Sequence, residues 1–99
     1  MPEMAKDLTV RTILASVGRA GLNRSEDVRL VQELLNQHIR PPHPALVVNG
    51  VVDSRLLAAL EAFQRRVVQM HRPDGCVEPG SQTFTALASQ AERPTPLHE

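Results

Sequence analysis

Apolar residues recur along this chain in three stretches with helical spacing, each bounded by a turn or cap signal. In the strongest, Leu56, Leu60, Phe63, Val67 and Met70 follow one another at intervals of four, three, four and three, which is one face of an α-helix. Asp53 stands just ahead of that stretch as its cap. Glu61 and Arg65 are four residues apart on the opposite, wet side. Arg65, Arg66, His71 and Arg72 gather at its C-terminal end, where cations suit the helix dipole. An earlier stripe of Val28, Val31, Leu34, Leu35 and Ile39 predicts a helix starting near Ser25, with Asn23 or Ser25 as cap and Glu26 and Asp27 in the first turn. Pro41, Pro42 and Pro44 stop it and predict a stiff, extended connector. A third, shorter stripe of Phe84, Leu87 and Ala88 predicts a last helix, with Glu78 at the cap and Pro79 at the first helical position.

The two junctions between these stripes share one grammar. Asn49-Gly50-Val51-Val52-Asp53 leads into the second helix, and Asp74-Gly75-Cys76-Val77-Glu78 leads into the third. An Asx-Gly pair supplies the positive φ of a tight turn. The apolar pairs behind the glycines, Val51-Val52 and Cys76-Val77, are suited to pair as a small β-bridge. The reading is all-α: a small three-helix bundle with two related Gly-turn loops, a possible short β-bridge and an N-terminal extension. Its divisions are an extension over 1–22, a three-helix domain over 23–90 and a tail over 91–99 containing Pro94 and Pro96. In the extension, Val10, Ile13, Leu14 and Val17 fit a helical face capped by Asp7. Its β-branched residues and glycines suit an extended segment equally well.

Composition narrows the function. The chain has 99 residues, enough for one domain with one core. Basic and acidic residues balance at 11 each, so nothing draws in a polyanion from a distance, and nucleic acid is not an expected partner. Lys6 is the only lysine; the other basic residues are arginines, whose planar fork pairs carboxylates with two bonds. No apolar run approaches the roughly 20 residues of a membrane span, and the first residues carry no charged-then-apolar leader pattern. Two Phe and no Trp or Tyr leave little ring surface for stacking on sugars or bases. Cys76 is the only cysteine, so no internal disulfide is available.

The ordered set Val31-Gln32-x-x-Leu35, Asn49-Gly50-x-Val52, Ala59-Leu60-x-x-Phe63-Gln64, Asp74-Gly75-x-Val77-x-Pro79 and Thr83-x-x-x-Leu87 resembles the peptidoglycan-binding domain-like (PGBD-like) family. This is the three-helix module often attached to bacterial cell-wall hydrolases, and the resemblance spans about residues 23–90. Ser16-Val17-Gly18-Arg19-x-Gly21-x-Asn23 resembles stretches that precede such modules in some secreted wall-active toxins. The chain departs from the family in carrying Asp53 and Glu78 where members often have Gly. It also has Leu56 or Leu57 where members often have Thr.

The resemblance implies a non-catalytic module that binds peptidoglycan, through stem peptide or glycan, and concentrates an attached or partner hydrolase on the wall. That places it in the periplasm or cell envelope after export, or otherwise in the cytoplasm. The implied ligand cleft lies between the second and third helices and their loops, with Asn49, Gly50, Gln64, Arg72, Asp74, Gly75, Gln82 and Thr83 as its contacts. A different class of function fits the same fold: a protein-interaction module that docks onto a catalytic domain or secretion component and does not touch the wall. No cofactor is expected. His38, His43, His71, His98 and Cys76 lack the close spacing of a structural zinc site. Asp53 and Glu78 read as helix caps rather than a glycosidase carboxylate pair, and no nucleophile elbow or phosphate loop is present. No catalytic activity is expected.

Overall fold

A computed structural model describes residues 12–39 and 41–92 of the chain, with side chains through residue 89. The helices are α1 (Ser25–Asn36), α2 (Ser54–Phe63) and α3 (Gln82–Glu92), and the two-residue strands are β1 (Val17–Gly18) and β2 (Cys76–Val77). A wider, π-helical turn over Gln64–Val68 extends α2. The small helical fold expected from the stripes is present, with one short two-stranded sheet added.

The sheet is not the pairing the loop grammar suggests. Cys76-Val77 pairs antiparallel with Val17-Gly18, Val17 opposite Val77 and Gly18 opposite Cys76, rather than with Val51-Val52. The described part of the N-terminal segment therefore forms no helix: β1 is followed by a turn with left-handed Ala20, and the segment closes the second loop. Ile13 and Val17 are fully buried with Val28, Val31, Leu35, Leu56, Leu60 and Leu87, so this segment shares the core of the three helices. Its fit is close at Gly18, where φ is +114° and an added Cβ would lie 2.1 Å from the carbonyl oxygen of Gly75. Asp7 and Val10 lie outside the described residues.

The first helix starts at Ser25 as expected, but its cap, and both ends of the last helix, differ from the sequence reading. The residue ahead of α1 is Arg24, which caps nothing with its side chain. Asn23 is occupied elsewhere: its Oδ1 accepts from Gly18 N–H (2.7 Å), and its Nδ2 donates to the carbonyls of Gly18 (3.2 Å) and Gly21 (3.1 Å). Asp27, in the first turn, is buried at 4% exposure and accepts from the N–H groups of Leu14 and Ala15, both at 3.0 Å. A carboxylate there serves the helix dipole and also anchors the N-terminal segment. At α3, Glu78 is not the cap. Its carbonyl accepts from Ser81 N–H at 3.0 Å, closing a turn over Pro79-Gly80, and Ser81 Oγ caps the helix by accepting from Phe84 N–H at 3.1 Å. The helix runs on to Glu92, so residues 91 and 92 belong to it, while 93–99 lie outside the described residues.

Asp53 does cap α2, accepting from Leu56 N–H at 2.9 Å. The stripe along α2 faces the core as expected at Leu56, Leu60 and Phe63, and Val67 packs against it. The π-turn ends at Gln69, which is left-handed at φ 66°, and the carbonyl of Gln64 accepts from both Gln69 and Met70. Glu61 pairs not with Arg65 but with Arg19 of the N-terminal segment.

Candidate functional site

The two loops are held by one device used twice. In the first, Gln32 of α1 accepts through Oε1 from the N–H groups of Asn49 (3.0 Å) and Gly50 (2.9 Å). Its Nε2 donates to Asn49 Oδ1 (3.1 Å) and to the carbonyl of Val51 (3.2 Å). Asn49 Oδ1 in turn accepts from Val51 N–H at 3.0 Å. In the second, Gln64 Oε1 accepts from Gly75 N–H (2.8 Å), and Nε2 donates to Asp74 Oδ1 (2.9 Å) and the carbonyl of Cys76 (3.1 Å). Asp74 Oδ1 accepts from Cys76 N–H at 3.1 Å. Four bonds of each clamp correspond atom for atom, and only the N–H of Asn49 adds a fifth in the first and the hydroxyl of Thr83 in the second, which is why both loops need Asx, then Gly, then a residue whose carbonyl turns inward. Gln32 and Gln64 are 2% and 0% exposed. Buried amides of this kind are retained only when their hydrogen bonds are made.

The loops then diverge. Seventeen residues separate Gln32 from Asn49, but ten separate Gln64 from Asp74. The seven additional residues of the first copy (17 − 10) accommodate the Pro-rich connector. Asn36, one turn beyond Gln32, holds its far end: Nδ2 donates to the carbonyl of Leu46 (3.0 Å), and Oδ1 accepts from Leu46 N–H (2.7 Å). The second loop is covered by β1, and Gly75 C=O accepts from Arg19 N–H at 2.8 Å.

Between the end of α1, the connector and α2 lies a groove of about 680 Å³. Ala58, Ala59, Ala62 and Phe63 of α2 form its floor, Leu35, His38 and Ile39 one wall, and His43, Pro44, Ala45 and Leu46 the other. His38 packs edge-on against Phe63, with ring centroids 4.8 Å apart. Arg55 of α2 and Arg66 of the π-turn that follows it also line the groove. Among the described residues the lining contains no acidic one. Arg55 also borders a smaller hollow of about 160 Å³ lined by Gln32, Leu46, Val47, Asn49 and Asp53, so the apolar groove runs on into a polar recess.

The expected ligand contacts fall into two sets. Gln64, Asp74, Gly75 and Thr83 come together, but as framework. Gln64, Gly75 and Thr83 are buried, and Thr83 Oγ1 accepts from Gln64 Nε2 at 3.3 Å. Gly50 is likewise buried beneath Ser25 and Arg29. Asn49, Arg72, Asp74 and Gln82 are exposed. Of the eight, only Asn49 borders either hollow described above. The sequence reading missed the groove and the role of Gln32. The signal for Gln32 was available, since Val31-Gln32 precedes the first loop as Phe63-Gln64 precedes the second.

Burial, and then the carboxylates of Asp74 and Glu78, raise the Cys76 thiol above its ordinary pKa, so it is a poor nucleophile or metal ligand at neutral pH. Among the described residues no group of three or more His, Cys, Asp or Glu is placed to hold a metal ion, and no helix is long and apolar enough to cross a membrane. No protein-family model, curated protein or solved structure matches this chain.

Proposed function

We propose that this chain is a non-catalytic binding module for the bacterial cell wall, which concentrates an attached or partner wall-active protein on peptidoglycan. The observation that carries the reading is the duplicated glutamine clamp with an open groove beside the first copy. The clamps support the resemblance noted from the sequence, because they explain why its Gln and Asx-Gly positions recur in that order. The groove offers a shallow, largely apolar surface with two arginines, a lining suited to a peptide or other small-group ligand rather than to chemistry on one. In this reading the ligand contacts move from the two loops to the groove, and Arg55 and Arg66 take the role expected of Arg72. Affinity is modest, since a small open site recovers little beyond the entropy lost on binding.

A second reading, docking onto a catalytic domain or secretion component, draws on the same apolar lining. One experiment separates them. The purified 99-residue chain is mixed with insoluble peptidoglycan sacculi and sedimented. Saturable co-sedimentation, competed by soluble wall fragments, is the expected result. No co-sedimentation at high sacculus concentration overturns wall binding and leaves the docking reading.

A further inference from the structure

We propose that the groove recognises the peptide of the wall and not its glycan: its ligand is a short peptide of methyl-bearing residues with free carboxylates. This rests on the wall-binding reading above. The floor is made of Ala58, Ala59 and Ala62, whose side chains end in single methyl groups. They leave a shallow surface that fits other small side chains by van der Waals contact. A sugar chain asks for different partners. It presents hydroxyls in every direction and stacks its ring faces on exposed aromatic rings. Here Phe63 is 2% exposed, and its edge is already taken by His38.

Charge points the same way. Arg55 and Arg66 are both exposed on the groove, and His43 stands on the opposite wall. Among the described residues the groove lining holds no acid; the carboxylate in the adjoining recess, Asp53, is already engaged as the cap of α2. A guanidinium pairs a carboxylate with two parallel bonds, which a hydroxyl cannot offer. Arg55 of α2 and Arg66 of the π-turn that follows it both line the groove, and their 11 positions along the chain correspond to a backbone rise of roughly 16 Å. That span equals about five residues of extended chain at roughly 3.3 Å each. A stem peptide has this character: short, extended, alanine-containing and carboxylate-bearing along its length and at its end.

The test uses the full chain and three probes: intact sacculi, glycan strands stripped of peptide by an amidase, and the soluble Ala–γ-Glu–diaminopimelate–Ala tetrapeptide. The expected result is co-sedimentation with intact sacculi and none with stripped glycan. The tetrapeptide is expected to shift the backbone amide signals of Ala58, Ala59 and Ala62 in a ¹⁵N spectrum. Arg55→Gln combined with Arg66→Gln lowers tetrapeptide affinity at least about tenfold, while Arg72→Gln leaves it unchanged. Equal co-sedimentation with stripped glycan overturns the inference but keeps wall binding. Sedimentation with neither form of wall overturns both. Tetrapeptide shifts confined to Arg72 and Gln82, or equal binding of a tetrapeptide amidated at its carboxylates, overturn the groove and its charge logic respectively.

Discussion

Replacing Gln64 with Leu separates a structural clamp from a ligand contact. Leucine occupies much of the same volume but makes none of the bonds of the amide. Gly75 N–H and the carbonyl of Cys76 lose their Gln64 partner. Asp74 is exposed and regains water, and the Thr83 hydroxyl can turn to another acceptor. Two backbone groups left without a partner, at about 1–3 kcal/mol each, give a loss on the order of 3 kcal/mol. For a domain this small that corresponds to a fall in Tm of roughly 15 °C. Thermal and urea unfolding followed by circular dichroism measure the loss, and hydrogen exchange at Gly75 localises it. Below the new midpoint, wall binding should equal that of the parent chain, because Gln64 is fully buried. A loss under about 1 kcal/mol, with Gly75 as protected as before, would refute the clamp. Intact stability with lost wall binding would restore Gln64 as a ligand contact.

Other outcomes follow from the same contacts. Gly18→Ala drives a methyl to 2.1 Å from the Gly75 carbonyl, so β1 must shift; a loss of at least about 2 kcal/mol in urea unfolding is expected. Asp27→Asn keeps only one strong acceptor for the two N–H groups of Leu14 and Ala15, and should cost about 1–2 kcal/mol and speed proteolysis within residues 12–22. Arg19→Ala removes an ion pair whose arginine is 58% exposed, so stability should change by less than about 1 kcal/mol. For Cys76, the pKa is raised in the folded chain by burial and then by Asp74 and Glu78. Its contribution to stability is therefore present below the unfolded pKa and is lost as pH rises through the folded one. Alkylation of the folded chain should reach its half-maximal rate at a higher pH than in denaturant; an equal or lower midpoint contradicts that environment.

The helices were legible because Leu56, Leu60 and Phe63, and Val28, Val31 and Leu35, leave a period that only one buried face explains. What was not legible depended on partners distant in sequence. Val17-Gly18 meets Cys76-Val77 across most of the chain, and no local pattern distinguishes that pairing from one with Val51-Val52. The caps were misassigned for a related reason. Asn23 has cap chemistry but is engaged by Gly18 and Gly21, and a turn over Pro79-Gly80 moves the start of α3 past Glu78 to Ser81. The π-turn left no trace, because intervals of four and three continue through Val67 and Met70 whether the backbone widens or not. As for the surface, the turn residues of both loops are the conspicuous ones in the sequence. The groove is built from alanines, prolines and a longer connector, which carry no motif, and only the difference in clamp spacing marks it.

The most direct measurement places one charge on the groove floor. Ala58 is exposed on α2 and lines the groove, so Ala58→Glu should leave the unfolding free energy within about 0.5 kcal/mol of the parent. It also sets a carboxylate in the path of the ligand. Co-sedimentation of this variant with intact sacculi should fall to the level of an inert protein, while Arg72→Ala combined with Gln82→Ala sediments like the parent chain. If Ala58→Glu binds sacculi as well as the parent and the double variant does not, the groove is not the site.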